Sequence, residues 1–195
     1  MSTIDRRKFL SFLAAGVATP YVVTFTSGDA KAGLVAPDAP FELDSQRVFS
    51  LSVSSGDPTP TGVVLWTRID PSAWRAGQAL IVQVARDADF LQLEFESIVE
   101  SQNIRPERDY CVSVDVDGYL QPNIRYYYRF IYDNTLSRTG RCRTAPPYGA
   151  ALDHLKLGLL TCQDYTNGYY GALAQIANDD SIDFVIHLGD FIYET

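Results

Sequence analysis

The chain has 195 residues, 46% of them hydrophobic, which is enough for one domain and part of a second, and its composition is that of a globular rather than a disordered protein. A net charge of −8 argues against a nucleic-acid partner, because binding a phosphate backbone needs clustered Lys and Arg. We therefore expect no nucleic-acid-binding surface. The charge does not exclude small phosphorylated molecules, since bound cations can invert the local field.

Residues 1–32 have the pattern of a twin-arginine signal peptide. Arg6 and Arg7 precede an apolar stretch over 12–18, and small residues up to Ala32 suit a signal peptidase. The apolar stretch is too short for a stable membrane span. We predict export by the twin-arginine translocase, cleavage after Ala32, and release to a periplasm or the medium. Because this route carries folded proteins, often with their metal inserted, it favours a metalloprotein.

Residues 41–147 predict a domain of short strands separated by turns. Turn-forming Gly, Pro and Asp occupy 55–62, and apolar and polar residues alternate in several of the neighbouring segments. The predicted strands cover 49–54, 63–68, 80–85, 110–116, 125–132 and 140–144. Strands at this spacing favour an all-β sandwich.

The segment 120–126 has the pattern Leu-x-Pro-x-x-x-Tyr, which resembles a hallmark of fibronectin type III domains. The resemblance implies that Tyr126 forms a corner, with its hydroxyl bonded to nearby backbone, and that Trp66 is a core tryptophan. We expect an immunoglobulin/fibronectin III-like sandwich in which both residues are structural.

Two of the three cysteines, Cys111 and Cys142, lie on predicted strands. Export would allow a disulfide between them, but the separation of their Cα atoms decides this and the sequence does not give it. Both states are open at this stage.

Residues 154–195 predict the first β-α-β unit of an α/β domain. Aliphatic strands are expected over 154–161 and 182–188, with a helix over 169–177 between them. Function in such sheets lies beyond the carboxyl ends of the strands. The loops that follow the two strands, 162–165 and 189–193, should therefore lie side by side.

These two loops carry a mixed set of hard and soft metal donors. The Cys162 thiolate and the Tyr193 phenolate suit Fe(III), and Asp190 has two oxygens that can bridge two ions. Gly189 permits the sharp turn that points the carboxylate into the site. His187 lies inside an apolar strand, and we expect a hydrogen-bonded core histidine rather than a ligand.

Five blocks in this order and spacing resemble the alkaline phosphatase D family, over the chain from about residue 41 to its last residue. They are Phe49-x-x-x-Val53-x-Ser55-Gly-Asp-Pro58, Gly62–Arg68, Tyr126–Phe130, Cys162–Tyr165 and His187–Glu194. The resemblance implies an N-terminal β-sandwich followed by a calcineurin-like metallophosphoesterase domain, secreted by the twin-arginine route and hydrolysing phosphate mono- and diesters. It also implies Fe(III) held by Cys162, Asp190 and Tyr193, with Asp190 shared with Ca(II). Asp164 departs from the Asn more common there, and it is either a further ligand or a solvent-facing residue.

The resemblance implies hydrolysis of phosphate esters by a water or hydroxide activated at two metals. The later ligand blocks of such phosphatases do not occur in this sequence, in which His154 is the only other histidine. We therefore expect an N-terminal fragment that is inactive alone. The alternative is a secreted β-sandwich binding module with a vestigial catalytic tail.

Overall fold

The computed structural model describes residues 45–164, 166–167 and 170–193. The predicted signal peptide, with Arg6, Arg7 and Ala32, lies outside the described residues. The chain divides after Pro147 into two compact units, called unit 1 and unit 2 below. No helix in the described ranges is both long and apolar enough to cross a membrane.

The described residues of unit 1 form mostly antiparallel strands. A short helix α1 (Ser45–Val48) precedes eight strands, β1 (Val53–Thr59), β2 (Gly62–Arg68), β3 (Leu80–Ala85), β4 (Leu93–Val99), β5 (Cys111–Asp115), β6 (Arg125–Tyr132), β7 (Thr135–Leu136) and β8 (Gly140–Arg143), with 3-10 turns at Ser101–Asn103 and Pro106–Arg108. One sheet has the order β1-β2-β5, and the other has the order β4-β3-β6-β7 with β8 also paired to β6.

The two sheets of unit 1 share one hydrophobic core. Leu65 and Val114 come from the smaller sheet, Val82 and Phe130 from the larger one, and all four are buried in the same cluster. In β6 the burial alternates along the strand until its last three residues, which are all buried. The predicted β-rich fold is thus confirmed at the level of strands and core, and its assignment to the fibronectin III type stays a prediction.

The start of the first sheet differs from the sequence prediction. We expected a strand over 49–54 and a turn over 55–62, but β1 continues to Thr59 and pairs with β2. Its register shifts between Gly56 and Thr59, and Asp57 between them has a φ of 49°. The turn-forming residues therefore make a bulge in an edge strand, a position where sheets accept Gly and Pro.

Two further expectations for unit 1 are corrected. Strand β4 was not predicted, and in it Phe95, Ser97 and Val99 are buried and alternate with exposed residues. Trp66 is not a core residue: its neighbours Leu65 and Thr67 are buried, and alternation along β2 places the half-buried Trp66 on the opposite face.

The corner expected at Tyr126 is present. Its side chain is fully buried, and its hydroxyl accepts a hydrogen bond of 2.9 Å from the backbone N–H of Gln121. The cysteine question left open above is also answered, since Cys111 and Cys142 are both free thiols. They lie in different sheets, on β5 and β8.

The described residues of unit 2 form two short parallel strands and one helix. Strand β9 (Leu157–Leu160) pairs in parallel with β10 (Phe184–His187), and helix α2 (Gly171–Asn178) lies between them in sequence. Gly158 on β9 faces Ile176 of the helix, and a Cβ at Gly158 would meet the Ile176 Cδ1 atom at 3.2 Å. A glycine here lets the helix approach the strand closely.

Candidate metal centre

The loops after β9 and β10 are joined by main-chain hydrogen bonds that continue the parallel ladder. The bonds run from Leu188 N–H to Leu160 O (2.8 Å), Cys162 N–H to Gly189 O (3.2 Å), Gln163 N–H to Asp190 O (2.9 Å) and Tyr193 N–H to Gln163 O (3.1 Å). The two loops therefore lie side by side at the carboxyl edge of the sheet.

Cys162 and Asp190 are in contact although they are 28 positions apart in sequence. The Cys162 thiol donates to the Asp190 carboxylate, with 3.6 Å between Sγ and Oδ2. The Thr161 hydroxyl lies 3.3 Å from the same sulfur. Both Cys162 and Asp190 are exposed. The structure therefore places a soft and a hard donor next to each other at an accessible edge.

The backbone of the two loops is unusual where these donors are attached. Cys162 has a φ of 55°, Asp190 a φ of 48°, and the glycine before Asp190 a φ of 120°. Positive φ is uncommon outside glycine, and such backbone clusters at functional sites. The sharp turn predicted for Gly189 is therefore present, and the turn leads directly into Asp190.

Tyr193 and Asp164 form the next step of this edge. They pair as an isolated parallel bridge, and Tyr193 is half-buried. Asp164 accepts hydrogen bonds from backbone and side chain of both Thr166 and Asn167, at 2.9 to 3.1 Å. These bonds, the Asn167 side-chain amide first, hold the pKa of Asp164 below its usual range. Asp164 thus organises its own loop, and its role as a ligand stays a prediction.

His187 differs from the core histidine that we expected. Its Nδ1 atom accepts the backbone N–H of Gly189 at 3.3 Å. Its ring meets the Phe191 ring edge to face, with 4.9 Å between centroids. The Nε2 atom is buried and has no hydrogen-bond partner in the part of the chain that the structure describes. The hydrogen bond predicted for His187 is therefore present at Nδ1, whereas the residue is half-buried rather than part of the core.

The donor chemistry of the Cys162–Asp190 pair fits one transition-metal ion. Ligand atoms about 2.0–2.3 Å from an ion lie about 3–4 Å apart, and the observed 3.6 Å falls in this range. Thiolate together with carboxylate suits iron or zinc better than magnesium. Within the described ranges, however, no group of three or more His, Cys, Asp or Glu side chains is arranged to hold a metal. A metal ion at this pair would need further ligands.

Sequence reasoning missed the residues that support Cys162, Asp190 and Asp164. Thr161 contacts the sulfur, His187 holds the Gly189 turn, and Thr166 with Asn167 fixes Asp164. The pattern Asp164-x-Thr166-Asn167 is typical of a turn in which an aspartate bonds backbone two residues on, so this contact had a readable signal. The other two depend on loop geometry.

Comparison with known proteins assigns the class. Residues 35–146 match the family model "PhoD-like phosphatase, N-terminal domain", and residues 157–195 match the family model "PhoD-like phosphatase". The chain belongs to the PhoD-like phosphatase family.

Two individual relatives can be named. Alkaline phosphatase D of Bacillus subtilis (strain 168) is 36% identical over 199 residues, which cover 99% of this chain and 33% of that protein. The solved "Structure of PhoD" superposes with a TM-score of 0.69 at 35% identity, over 80% of this chain and 30% of that one. The chain thus spans about a third of the length of the relatives that it matches.

Proposed function

We propose that this chain contributes the N-terminal part of an exported, metal-dependent phosphatase and phosphodiesterase. The observation that carries the proposal is the contact between Cys162 and Asp190 at the carboxyl ends of two parallel strands, in a chain of the PhoD-like phosphatase family. The substrates are phosphate mono- and diesters.

In this proposal Cys162, Asp190 and Tyr193 hold Fe(III), and Asp190 is shared with Ca(II). Bound ions of this kind supply Lewis-acid activation of water and neutralise charge on the phosphoryl oxygens. The protein's own part is to hold the donors. The Cys162 thiol is placed against Asp190 by the paired loops, and Thr161 lies within hydrogen-bond reach of the sulfur. Asp164 is a possible additional oxygen donor at the same edge.

The metal assignment is tested by adding Fe(III), as its nitrilotriacetate complex, to the 195-residue chain and following charge-transfer absorption. Cys162→Ser should remove the thiolate contribution and weaken binding more than about tenfold, since loss of a ligand costs at least as much as loss of a residue that only supports one. Tyr193→Phe should remove the phenolate contribution. Cys111→Ser, a free thiol in unit 1, is the matched control. Equal affinity in Cys162→Ser and the parent would refute the assignment.

We expect the chain alone to be inactive towards phosphate esters. Two-metal hydrolysis needs ligands for both ions and groups that clamp the phosphate. The described residues provide one thiol–carboxylate pair and no third His, Cys, Asp or Glu beside it. Turnover of a phosphate monoester is measured with and without added iron and calcium. Metal-dependent turnover clearly above the blank would sink this expectation.

Export by the twin-arginine translocase, with cleavage after Ala32, is part of the same proposal. Replacing both Arg6 and Arg7 by Lys should leave uncleaved precursor inside the cell, as judged by fractionation and N-terminal sequencing. Normal export of this double variant would argue for another route.

The second candidate is a secreted β-sandwich binding module with a vestigial catalytic tail. It is favoured by one observation, the shared core of unit 1, which is built from unit 1 residues alone. Limited proteolysis separates the two candidates. A stable fragment over about 41–147 with a degraded tail, unchanged by metal, supports the module. Protection of unit 2 on addition of iron and calcium supports the metal site.

A further inference from the structure

The turn that presents Asp190 is fixed by hydrogen bonds at its carbonyl oxygens and at its Gly189 N–H. Its carbonyls face the other loop, where Gly189 O accepts from Cys162 N–H and Asp190 O accepts from Gln163 N–H. The Gly189 N–H donates to the Nδ1 atom of His187, two residues earlier in the chain. Without that acceptor, the N–H of a residue at φ 120° would depend on solvent.

This contact determines the state of the imidazole. A backbone N–H can only donate, so Nδ1 must carry a lone pair, and the proton of the neutral ring lies on Nε2. The Nε2 atom is buried and unpartnered within the described ranges. The ring is fixed further by its edge-to-face contact with Phe191, on the far side of Asp190 in sequence. His187 therefore contacts residues on both sides of Asp190.

We propose that His187 is a positioning residue. As the Nε2–H tautomer it accepts a hydrogen bond from the Gly189 N–H, and it so holds Asp190 in the left-handed backbone that sets its carboxylate against Cys162. The residue acts through the turn and not as a ligand. The hydrogen bond between Gly189 and His187 is a property of the apo protein. Its consequence for metal affinity rests on the proposed function.

The chain offers matched variants for this proposal. His187→Leu replaces the ring by an apolar side chain of similar size that has no acceptor. His187→Asn retains an acceptor, because an Asn side-chain oxygen readily takes the N–H two residues on. His154→Gln is the control, since His154 is the only other histidine and is exposed. The amides of Ala174 and Asp183, which donate to Tyr170 O and Lys156 O within unit 2, report whether each variant still folds there.

The first readout needs no metal. In the His154→Gln protein, ¹⁵N NMR of the single remaining imidazole should show an unprotonated Nδ1 and a protonated Nε2. The Gly189 amide should exchange with solvent at least about tenfold faster in His187→Leu than in the parent, and His187→Asn should restore most of the protection. A protonated Nδ1, or unchanged exchange in His187→Leu, would overturn the proposal.

The second readout is Fe(III) affinity, followed by charge-transfer absorption. Residues that orient a ligand typically change metal affinity by about 10- to 100-fold, so His187→Leu should weaken binding by that factor while His187→Asn and His154→Gln bind nearly as the parent does. Loss of Gly189 amide protection in His187→Leu, with no Fe(III) binding in any protein, would support the hydrogen bond to His187 and refute the proposed metal site. Equal Fe(III) affinity in His187→Leu and the parent would overturn the positioning role.

Discussion

Unit 1 and unit 2 use their apolar residues differently. In unit 1 the burial alternates along β2, β4 and β5, and large side chains such as Tyr126, Phe130 and Leu65 are fully buried. In unit 2 the strands are as apolar in sequence, yet Leu159 is 62% exposed and Leu188 68% exposed. Unit 1 therefore has a core of its own, whereas the described residues of unit 2 leave much of their apolar surface open.

The difference follows the two kinds of sheet. Antiparallel sheets can bury one face and present the other to water, which matches the alternation in unit 1. Parallel strands are normally covered on both faces, which explains why β9 and β10 lack polar alternation. Helix α2 covers one face of β9, at Gly158, while Leu157 and Leu159 on the other face are exposed. The candidate site thus lies on the less packed of the two units.

Truncating one large side chain in each unit should give the largest difference in stability between the two units. Phe130→Ala deletes a fully buried ring and should reduce the free energy of unfolding of unit 1 by about 3–5 kcal/mol, from lost burial and the cavity left behind. Leu159→Ala deletes a mostly exposed side chain and should change stability by less than about 0.5 kcal/mol. Urea denaturation followed by fluorescence measures both. A Leu159→Ala loss as large as that of Phe130→Ala would show that the face of β9 is covered.

The three cysteine thiols should also differ in the rate at which they are alkylated. Burial raises the pKa of Cys142 to about 12, so its thiol stays protonated well above neutral pH, and partial burial also raises the pKa of Cys111. Cys162 is exposed. At pH 8 an alkylating reagent should label Cys162 at least about a hundredfold faster than Cys142, because labelling of a buried thiol requires local opening.

Timed alkylation followed by peptide mapping measures this ratio. In denaturant the three rates should converge, which controls for differences intrinsic to each peptide. Native labelling of Cys142 at the rate of Cys162 would contradict the packing of β8 against the core.

The accuracy of sequence reasoning varied with the physical signal available. Strand β6 was predicted with its observed bounds, because a run of eight residues rich in aromatic side chains is a strong strand signal. The first strand was misplaced, because Gly56 and Pro58 are turn residues that here form a bulge. Strand β4 was missed because the buried Ser97 weakens its apolar pattern.

The same distinction applies to the candidate site. The neighbourhood of Cys162 and Asp190 could be predicted from the general rule that the carboxyl ends of parallel strands meet at one edge. The contact between His187 and Gly189 could not, because it depends on a positive φ at the glycine and on the ring orientation. The positions of the candidate donors were therefore readable from the order of the strands, whereas the supporting contacts depend on loop geometry.

The smallest effect in this comparison concerns a single hydroxyl in unit 1. Tyr126→Phe keeps the buried ring, and with it the Arg86 guanidinium stacked 5.4 Å above, but removes the acceptor for the Gln121 N–H. The unpaired donor should cost about 1–3 kcal/mol of unfolding free energy. Tyr127→Phe, on the half-buried opposite face of β6, is the matched control and should change stability by less than about 0.5 kcal/mol. Equal stability of the two variants in urea would show that water replaces the corner bond.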